Sequence, residues 1–162
     1  MVTFLLHSRA AWEDHFSVVY YPNSQLYTSR QTPSGTSVYI SNCLFRSISS
    51  GSDGGALYCS SVTYLLVEST SFFSCKTSSH GGAIYFTNSG GQCVLYEVCG
   101  YDCCSTYSSN YPHYQFAYIR VNNAISSKNN VNYSSIVRCV NERSSGSYYT
   151  LYLIYGKICC PS

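Results

Sequence analysis

The chain has 162 residues, of which 10% are charged and 45% are hydrophobic, and its formal net charge is +2. So few charges exclude a coiled coil or a long solvated helical protein, which need abundant Glu, Lys and Arg, and the aromatic content of 16% excludes a charge-rich disordered tail. The small net charge gives no electrostatic case for nucleic acid or an anionic membrane as a partner.

The N-terminal residues 1–35 are predicted to form an irregular segment or a degenerate coil of a repeat. Their apolar run at residues 2–6 is soon followed by Arg9, Glu13 and Asp14. It therefore lacks the basic n-region and the roughly 7 to 15 apolar residues of a signal peptide. No run in the sequence approaches the roughly 20 apolar residues of a transmembrane helix. We expect neither element in this chain, and a fragment of a longer solenoid is compatible with these features.

Two segments of the chain, residues 38–58 and 65–85, align without gaps at an offset of 27 residues. Similarity at a fixed period of about 20 to 50 residues is typical of solenoids, propellers and other repeat arrays. The matched positions that define the repeat are Phe45, Gly54, Gly55 and Ala56 in the first segment and Phe72, Gly81, Gly82 and Ala83 in the second.

A weaker third copy is predicted at residues 94–104, at an offset of 29 residues from the second. The Gly-Gly-Ala element is missing from this copy, and we expect Phe116–Ile119 to take its place. The matches that set the offset are Glu97 with Glu68, Tyr101 with Phe72, and Cys104 with Cys75.

The apolar runs of the repeat are short and rich in Val, Ile, Tyr, Phe and Thr, and clusters of Ser, Gly and Asn separate them. These are strand and turn signals, whereas helical repeats need longer runs of Ala, Leu, Glu and Lys. A propeller blade needs about 40 residues, but a 27-residue period fits one coil of a parallel β-helix. We therefore predict an all-β solenoid of about four to six coils, clear over residues 36–105 and degenerate over 106–162.

Stacking of such coils about 4.8 Å apart places each residue beside its counterpart in the next coil. The Gly-Gly-Ala element is then a sharp corner where backbones approach closely, and Phe45 and Phe72 stack as an inward aromatic column. Tyr39, Tyr58 and Tyr85 are expected to form ladders. Like charges would repel at this spacing, which is a physical reason for the low charge content.

Two motifs of the repeat resemble those of polymorphic outer-membrane-protein repeats, which pair a Gly-Gly-Ala-Ile-type motif with a Phe-x-x-Asn-type motif. Gly54–Leu57 and Gly81–Ile84 match the first motif, and Phe45–Ile48 and Phe72–Cys75 match the second without its Asn. The Ser- and Cys-rich form of the repeat is similar to the trichomonad-type branch of such surface proteins. The resemblance covers about residues 36–105. It implies a right-handed parallel β-helix, a cell-surface or secreted location and, by analogy with bacterial autotransported adhesins, a role in adhesion.

The ten cysteines suit an oxidising compartment. The sequence leaves open whether they pair as disulfides or remain buried thiols that act as small hydrophobic residues. Cys99, Cys103 and Cys104 come closest to metal-ligand spacing, but no second pair accompanies them, so we predict no metal site and no cofactor. Asn132 begins a sequon, which permits its N-glycosylation in an exported chain.

Enzymes built on β-helices include polysaccharide lyases and hydrolases, so the acidic residues are weighed as weak catalytic candidates. The repeat register places Asp53 beside His80, and the third copy places Glu68 beside Glu97. Either pair can act in acid–base chemistry, and two carboxylates can bind calcium. The favoured interpretation is a solvated turn Asp and turn His for the first pair and an incidental pair of exposed like charges for the second. The paired aspartates, Gly-His-Gly and Arg-x-Lys of pectin-cleaving enzymes are missing from the sequence.

These features predict a non-enzymatic surface scaffold that presents a Tyr- and Ser-rich face for adhesion to a protein or glycan at a cell surface. Tyr suits such recognition because it gives a large contact area at low entropic cost. The alternative is a carbohydrate-active β-helix enzyme of the polysaccharide lyase or glycoside hydrolase kind. That function requires the acidic residues to converge in one groove.

Overall fold

The computed structural model describes residues 24–106, 113–124, 127–140, 148–155 and 157–159. Within these ranges the chain forms strands and turns but no helix. The strands, in chain order, are β1 (Leu26–Tyr27), β2 (Ser37–Ser41), β3 (Leu44–Arg46), β4 (Ser49–Ser50), β5 (Leu57–Cys59), β6 (Tyr64–Glu68), β7 (Ser71–Phe73), β8 (Lys76–Thr77), β9 (Ile84–Thr87), β10 (Gln92–Tyr96), β11 (Cys99–Tyr101), β12 (Cys104–Ser105), β13 (His113–Arg120), β14 (Asn130–Asn132), β15 (Ser135–Val137), β16 (Tyr148–Ile154) and β17 (Lys157–Cys159).

The strands form four sheets, and all neighbouring strands within a sheet are parallel. Sheet 1 contains β2, β6, β10, β14 and β17, and sheet 2 contains β1, β3, β7, β11 and β15. Sheet 3 contains β4, β8 and β12, and sheet 4 contains β5, β9, β13 and β16. From β2 to β13 the chain visits sheets 1, 2, 3 and 4 in turn three times, so the structure is a parallel β-helix. The all-β solenoid predicted from the repeat is confirmed.

The coils differ in length. From the coil of β3 to the coil of β15, equivalent residues of successive coils are 27, then 28, then 36 positions apart in the chain. The longest spacing arises because residues are added between β12 and β13 and again between β13 and β14, where the chain connects sheets 3, 4 and 1. Added length in connecting loops leaves the stacked strands of a solenoid in place.

In the four coils that contain β3, β7, β11 and β15, one non-glycine residue with positive φ precedes the sheet 2 strand, at the corner with sheet 1, and another follows it, at the corner toward sheet 3. Positive φ is uncommon for non-glycine residues, and its recurrence at equivalent positions gives these coils the same two bends. The two residues are five positions apart in each of these four coils, so the sheet 2 side of these coils has a constant length. The pairs are Asn42 with Ser47, Ser69 with Ser74, Glu97 with Asp102, and Tyr133 with Arg138, with φ from 44° to 55°.

The residue that follows a left-handed position is often Cys, Thr or Ser, and its side chain bonds to the nearby backbone. Thr70 Oγ1 donates to the carbonyl oxygen of Glu68 at 2.7 Å, and Cys103 Sγ donates to that of Tyr101 at 3.4 Å. Each bond reaches back across the bend and satisfies a side-chain group that the corner buries. The same bond is made by Cys43, Cys75, Ser134 and Cys139.

The corner between sheets 3 and 4 is built from the Gly-Gly pairs of the repeat. Gly54 and Gly81 both have a φ of 71°. A Cβ atom on Gly55 would lie 1.9 Å from the carbonyl oxygen of Gly82, and one on Gly82 would lie 2.4 Å from that of Gln115. The backbones of successive coils therefore approach too closely for a side chain, as the sequence predicts.

The third coil crosses this corner without glycines, and the predicted segment is shifted. Phe116–Ile119 is expected to replace Gly-Gly-Ala, but Phe116 lies against Ala83 and Ala117 lies against Ile84. The replacement thus begins two residues earlier than predicted. A register irregularity in β13 just before Ala117 accompanies the longer loop of this coil.

An aromatic column runs through the core parallel to the solenoid axis. Tyr27, Phe45 and Phe72 stack with ring centroids 4.8 Å apart at each step, as predicted for the two phenylalanines. The next residue in register is Gly100, and a Cβ atom there would lie 2.4 Å from the Phe116 ring. Phe116 enters from sheet 4 and packs edge-on against Phe72 at 5.9 Å. A ring from another sheet therefore fills the place of the missing aromatic residue.

The predicted register of the third copy is wrong by one residue. Its offset is 28 residues rather than 29, because one residue is added in the turn before β10 and none between β10 and β12. Tyr101 consequently faces outward beside Phe73. The pairs observed in place of the predicted ones are Glu68 with Tyr96, Phe72 with Gly100, and Cys75 with Cys103.

Replacement of Gly82 by Ala should destabilise the fold by roughly 3 kcal/mol, because the added methyl group would overlap backbone atoms that cannot move independently. The measurement is the urea midpoint of unfolding followed by circular dichroism. Gly51→Ala is the matched control, since nothing lies within 4 Å of a Cβ atom at Gly51, and its effect should stay within about 0.5 kcal/mol. Equal stability of the two variants would contradict the close coil contact.

Candidate binding surface

An apolar–Tyr–apolar triplet recurs in the four strands of sheet 4. Side chains alternate along a strand, so the flanking residues turn toward the core and each tyrosine faces outward. The central tyrosines pair in register across the sheet. The triplets are Leu57–Cys59, Ile84–Phe86, Ala117–Ile119 and Leu151–Leu153.

The central tyrosines stack as a ladder along the solenoid axis. Ring centroids lie 5.4 Å apart for Tyr58 and Tyr85, 5.0 Å apart for Tyr85 and Tyr118, and 5.2 Å apart for Tyr118 and Tyr152. The guanidinium of Arg30 lies 4.7 Å from the centre of the Tyr58 ring. Arg30 therefore covers the Tyr58 end of the ladder through a cation–π contact.

Further aromatic side chains widen this ladder. The Tyr114 ring lies 4.2 Å from Tyr152 and 4.9 Å from Tyr118, and Tyr149 lies 6.1 Å from Tyr114. The ring of His80 lies 5.2 Å from that of Tyr114. We call this surface the tyrosine face, which consists of Tyr58, Tyr85, Tyr114, Tyr118, Tyr149 and Tyr152.

The ladder exposes the edges of its rings and their hydroxyl groups, because the stacked rings cover each other's faces. Tyr149 is exposed and the other five tyrosines of the face are half-buried. Each phenol can donate and accept a hydrogen bond, and the paired strands hold the phenols at the spacing of the coils. The side chains of the face are thus held in a fixed row, so little side-chain entropy is left for them to lose in a contact.

Polar groups at the Gly-Gly corner brace the tyrosine face from the side. Ser79 Oγ and the backbone N–H of His80 donate to Asp53 Oδ1, the latter at 3.1 Å. The Asp53 carboxylate also interacts with the phenol of Tyr85. Arg30, which covers the ladder end, donates to the backbone carbonyl of Asp53. Asp53 therefore joins two coils and the ladder.

The environment of the face keeps two of its phenols protonated. Burial raises the pKa of Tyr85 to about 12, and the negative charge of Asp53 and the adjacent tyrosines add to the rise. Burial likewise raises the pKa of Tyr114 to about 12, with a further contribution from Tyr152. Since the ordinary value is about 10, these two groups remain hydrogen-bond donors well above neutral pH.

The four acid–base candidates lie at two different corners of the coil. Asp53 and His80 lie between sheets 3 and 4, whereas Glu68 and Glu97 lie between sheets 1 and 2. Glu68 accepts a hydrogen bond from the phenol of Tyr39, and its counterpart in the next coil is not Glu97. In the part of the chain that the structure describes, the four residues therefore do not share one groove.

The described cysteines are all present as thiols, and no disulfide joins any two of them. Among the described residues, no group of three His, Cys, Asp or Glu side chains is placed to hold a metal ion. Asn132 lies at the end of β14 and is half-buried, and its backbone carbonyl accepts the Ser134 hydroxyl at 2.9 Å. N-glycosylation of this residue stays a prediction.

A smaller aromatic surface lies on sheet 2. Phe73 and Tyr101 stack at 5.2 Å, and Arg46 and Arg138 each lie 5.8 Å from one of these rings. The rings border an open apolar cleft of about 350 Å³. This sheet 2 column contains two rings, whereas the ladder of the tyrosine face contains four, so the tyrosine face is the more extended surface.

The sequence pointed to part of the tyrosine face. The sequence predicts a ladder for Tyr58 and Tyr85, which do stack, but Tyr39 lies on sheet 1, where it contacts Glu68. The repeat does not predict Tyr118 and Tyr152, because loop insertions remove them from the 27-residue register. The apolar–Tyr–apolar triplet is the signal that identifies both.

Comparison with known proteins finds one family. The Chlamydia polymorphic membrane protein (Chlamydia_PMP) repeat matches residues 42–60, which run from the left-handed corner at Asn42 through the Gly-Gly corner and β5. This coil is therefore similar to a polymorphic membrane protein repeat. No curated protein and no solved structure matches the chain. None of the described segments forms a helix with the length and hydrophobicity needed to cross a membrane.

Replacement of Asp53 by Asn should lower the pKa of Tyr85, because it removes a negative charge that opposes formation of the phenolate. The Tyr85 titration is obtained from ultraviolet absorbance as the difference between a protein and the same protein carrying Tyr85→Phe. Asp102→Asn, at another corner, is the control and should leave this titration unchanged. An identical Tyr85 titration in wild type and Asp53→Asn would contradict the contact.

The pKa of Tyr85 also predicts how stability depends on pH. The folded value of about 12 exceeds the unfolded value of about 10, so the unfolded chain loses its proton first. The contribution of Tyr85 is fully present below about pH 10 and is lost as the pH rises to about 12. Over that window the unfolding midpoint of the wild type should fall more steeply than that of Tyr85→Phe, and parallel curves would contradict the prediction.

Proposed function

We propose that the protein is a non-enzymatic β-helical surface scaffold that adheres to a protein or glycan partner through its tyrosine face. The single observation that carries this proposal is the tyrosine ladder, which continues through all four strands of sheet 4 and ends under Arg30. A row of rigid phenols offers repeated contacts to a partner that lies along the solenoid axis.

The similarity of residues 42–60 to a polymorphic membrane protein repeat supports a surface or secreted location for this scaffold. The Ser- and Cys-rich composition of the repeats supports the trichomonad-type branch of such proteins. The structure adds a rigid support, because parallel strand pairing fixes the backbone beneath each tyrosine. In the described ranges, the acid–base candidates do not converge in one groove, so the geometry does not favour an enzyme.

Loss of two ladder tyrosines should remove adhesion. We expect the double variant Tyr85→Ser/Tyr118→Ser to bind cultured cells or glycans at least about tenfold more weakly than the wild type, since aromatic anchors dominate binding energies. The measurements are a glycan array and a cell-binding assay with the intact chain. Circular dichroism and the unfolding midpoint establish that each variant is folded.

The matched control is Phe73→Ser/Tyr101→Ser, which removes a stacked pair of exposed rings from sheet 2. It should bind as the wild type does. A folded wild-type chain that binds neither cells nor glycans, or equal losses in the two double variants, would refute the assignment to the tyrosine face. The pair Tyr85→Phe/Tyr118→Phe then reports how much of the binding comes from the hydroxyl groups.

A further inference from the structure

Three buried cysteines occupy the same corner in three successive coils. Cys75, Cys103 and Cys139 each follow the left-handed residue between sheets 2 and 3. The backbone N–H of Cys75 points at Cys103 Sγ, and the N–H of Cys103 points at Cys139 Sγ, at 3.4 Å in both cases. The three sulfur atoms therefore form a column along the solenoid axis, and Ile48 occupies the equivalent position one coil earlier.

Cys103 lies in the middle of this cysteine column. Its Sγ accepts the backbone N–H of Cys75, and its own N–H donates to Cys139 Sγ. The interaction between neighbouring side chains lowers the pKa of the two outer thiols and raises that of the central one. The outer sulfurs are thus more readily converted to thiolates, which are the nucleophiles of disulfide chemistry.

We propose that Cys103 is the shared partner of two mutually exclusive disulfides, one with Cys75 and one with Cys139, which a small-molecule disulfide installs in the column. Each linkage joins neighbouring coils at equivalent positions, where stacked backbones are closer than the upper limit of about 6.8 Å between Cα atoms in a disulfide. The first linkage would close a loop of 28 positions and the second a loop of 36.

The oxidation is balanced by two thiol–disulfide exchanges. An outer thiolate attacks the small disulfide, forms a mixed disulfide and releases one small thiolate. The Cys103 thiolate then attacks the protein sulfur of that mixed disulfide and releases the second small thiolate, and the two protons lost by the protein are taken up by these leaving groups. Two protein thiols are oxidised and one small disulfide is reduced to two thiols.

The unused outer thiol makes the linkage exchangeable. Attack on a disulfide occurs through a mixed intermediate at one sulfur, and the column places the third sulfur on the far side of Cys103. With Cys75 and Cys103 joined, the Cys139 thiolate attacks Cys103, the older bond breaks, and Cys75 leaves as a thiolate that takes up the proton lost by Cys139. No net oxidation accompanies this step.

Other described cysteines lack a stacked thiol at the matched position and serve as controls. Cys43 follows a left-handed residue at the other corner, but its neighbour in the next coil is Thr70. Cys99 is exposed on sheet 2, and its neighbours in register are Ser71 and Ser135. Disulfides between coils are therefore expected in the cysteine column and not at these positions.

Because the sulfurs of the column are buried, the test uses refolding of the full chain in a mixture of oxidised and reduced glutathione. Remaining thiols are alkylated, and the disulfides are mapped by non-reducing proteolysis and mass spectrometry. We expect both Cys75–Cys103 and Cys103–Cys139 peptides from the wild type, each accompanied by an alkylated third cysteine. Cys43→Ser should leave this pattern unchanged.

Single variants distinguish the proposal from general oxidation. Cys75→Ser should retain only the Cys103–Cys139 linkage, Cys139→Ser only the Cys75–Cys103 linkage, and Cys103→Ser should lose both. Circular dichroism shows whether each variant folds, and the two outer variants keep the test valid if Cys103→Ser does not. Fully alkylated column cysteines in the refolded wild type, a Cys75–Cys139 linkage, or one linkage that never exchanges would overturn the proposal.

Discussion

Parallel pairing in register is the constraint on which the rest of the structure depends. Strands of successive coils lie beside each other about 4.8 Å apart, so every side chain meets its counterpart in the next coil. Like charges at such positions would repel each other strongly. At the described corners, a carboxylate instead lies beside a serine hydroxyl of a neighbouring coil. Serine hydroxyls of one coil bond to carboxylates of a neighbouring coil in the pairs Ser69 with Glu97, Ser74 with Asp102, and Ser79 with Asp53.

The same constraint explains the aromatic and sulfur columns. Flat rings stack favourably at the distance between coils, and Phe45 and Phe72 use this inside the solenoid while Tyr58 and Tyr85 use it outside. Thiols are small enough to stack at a tight corner and still bond to the backbone. Columns of like residues are therefore a consequence of the register.

Sequence alone predicts the first two coils because their spacing is constant. Phe45 and the Gly-Gly corner could be placed correctly, since period and residue type agree there. Glu68 and Glu97 could not, because a one-residue addition before β10 shifts every later match. The role of Phe116 was also hidden, because a ring from sheet 4 fills the space over Gly100 in sheet 2. Only the three-dimensional packing relates two residues on different sides of a coil.

The five-residue interval between left-handed positions sets the length of the sheet 2 side of the molecule. That side keeps its length in the four coils from β3 to β15, while residues accumulate where the chain passes through sheets 3 and 4 and back to sheet 1. Insertions are thus accommodated where the chain passes through sheets 3 and 4 and back to sheet 1, but not on the sheet 2 side. New loops can be inserted around the tyrosine face without changing the pitch of the solenoid, so the residues that border this face can vary while the fold stays the same.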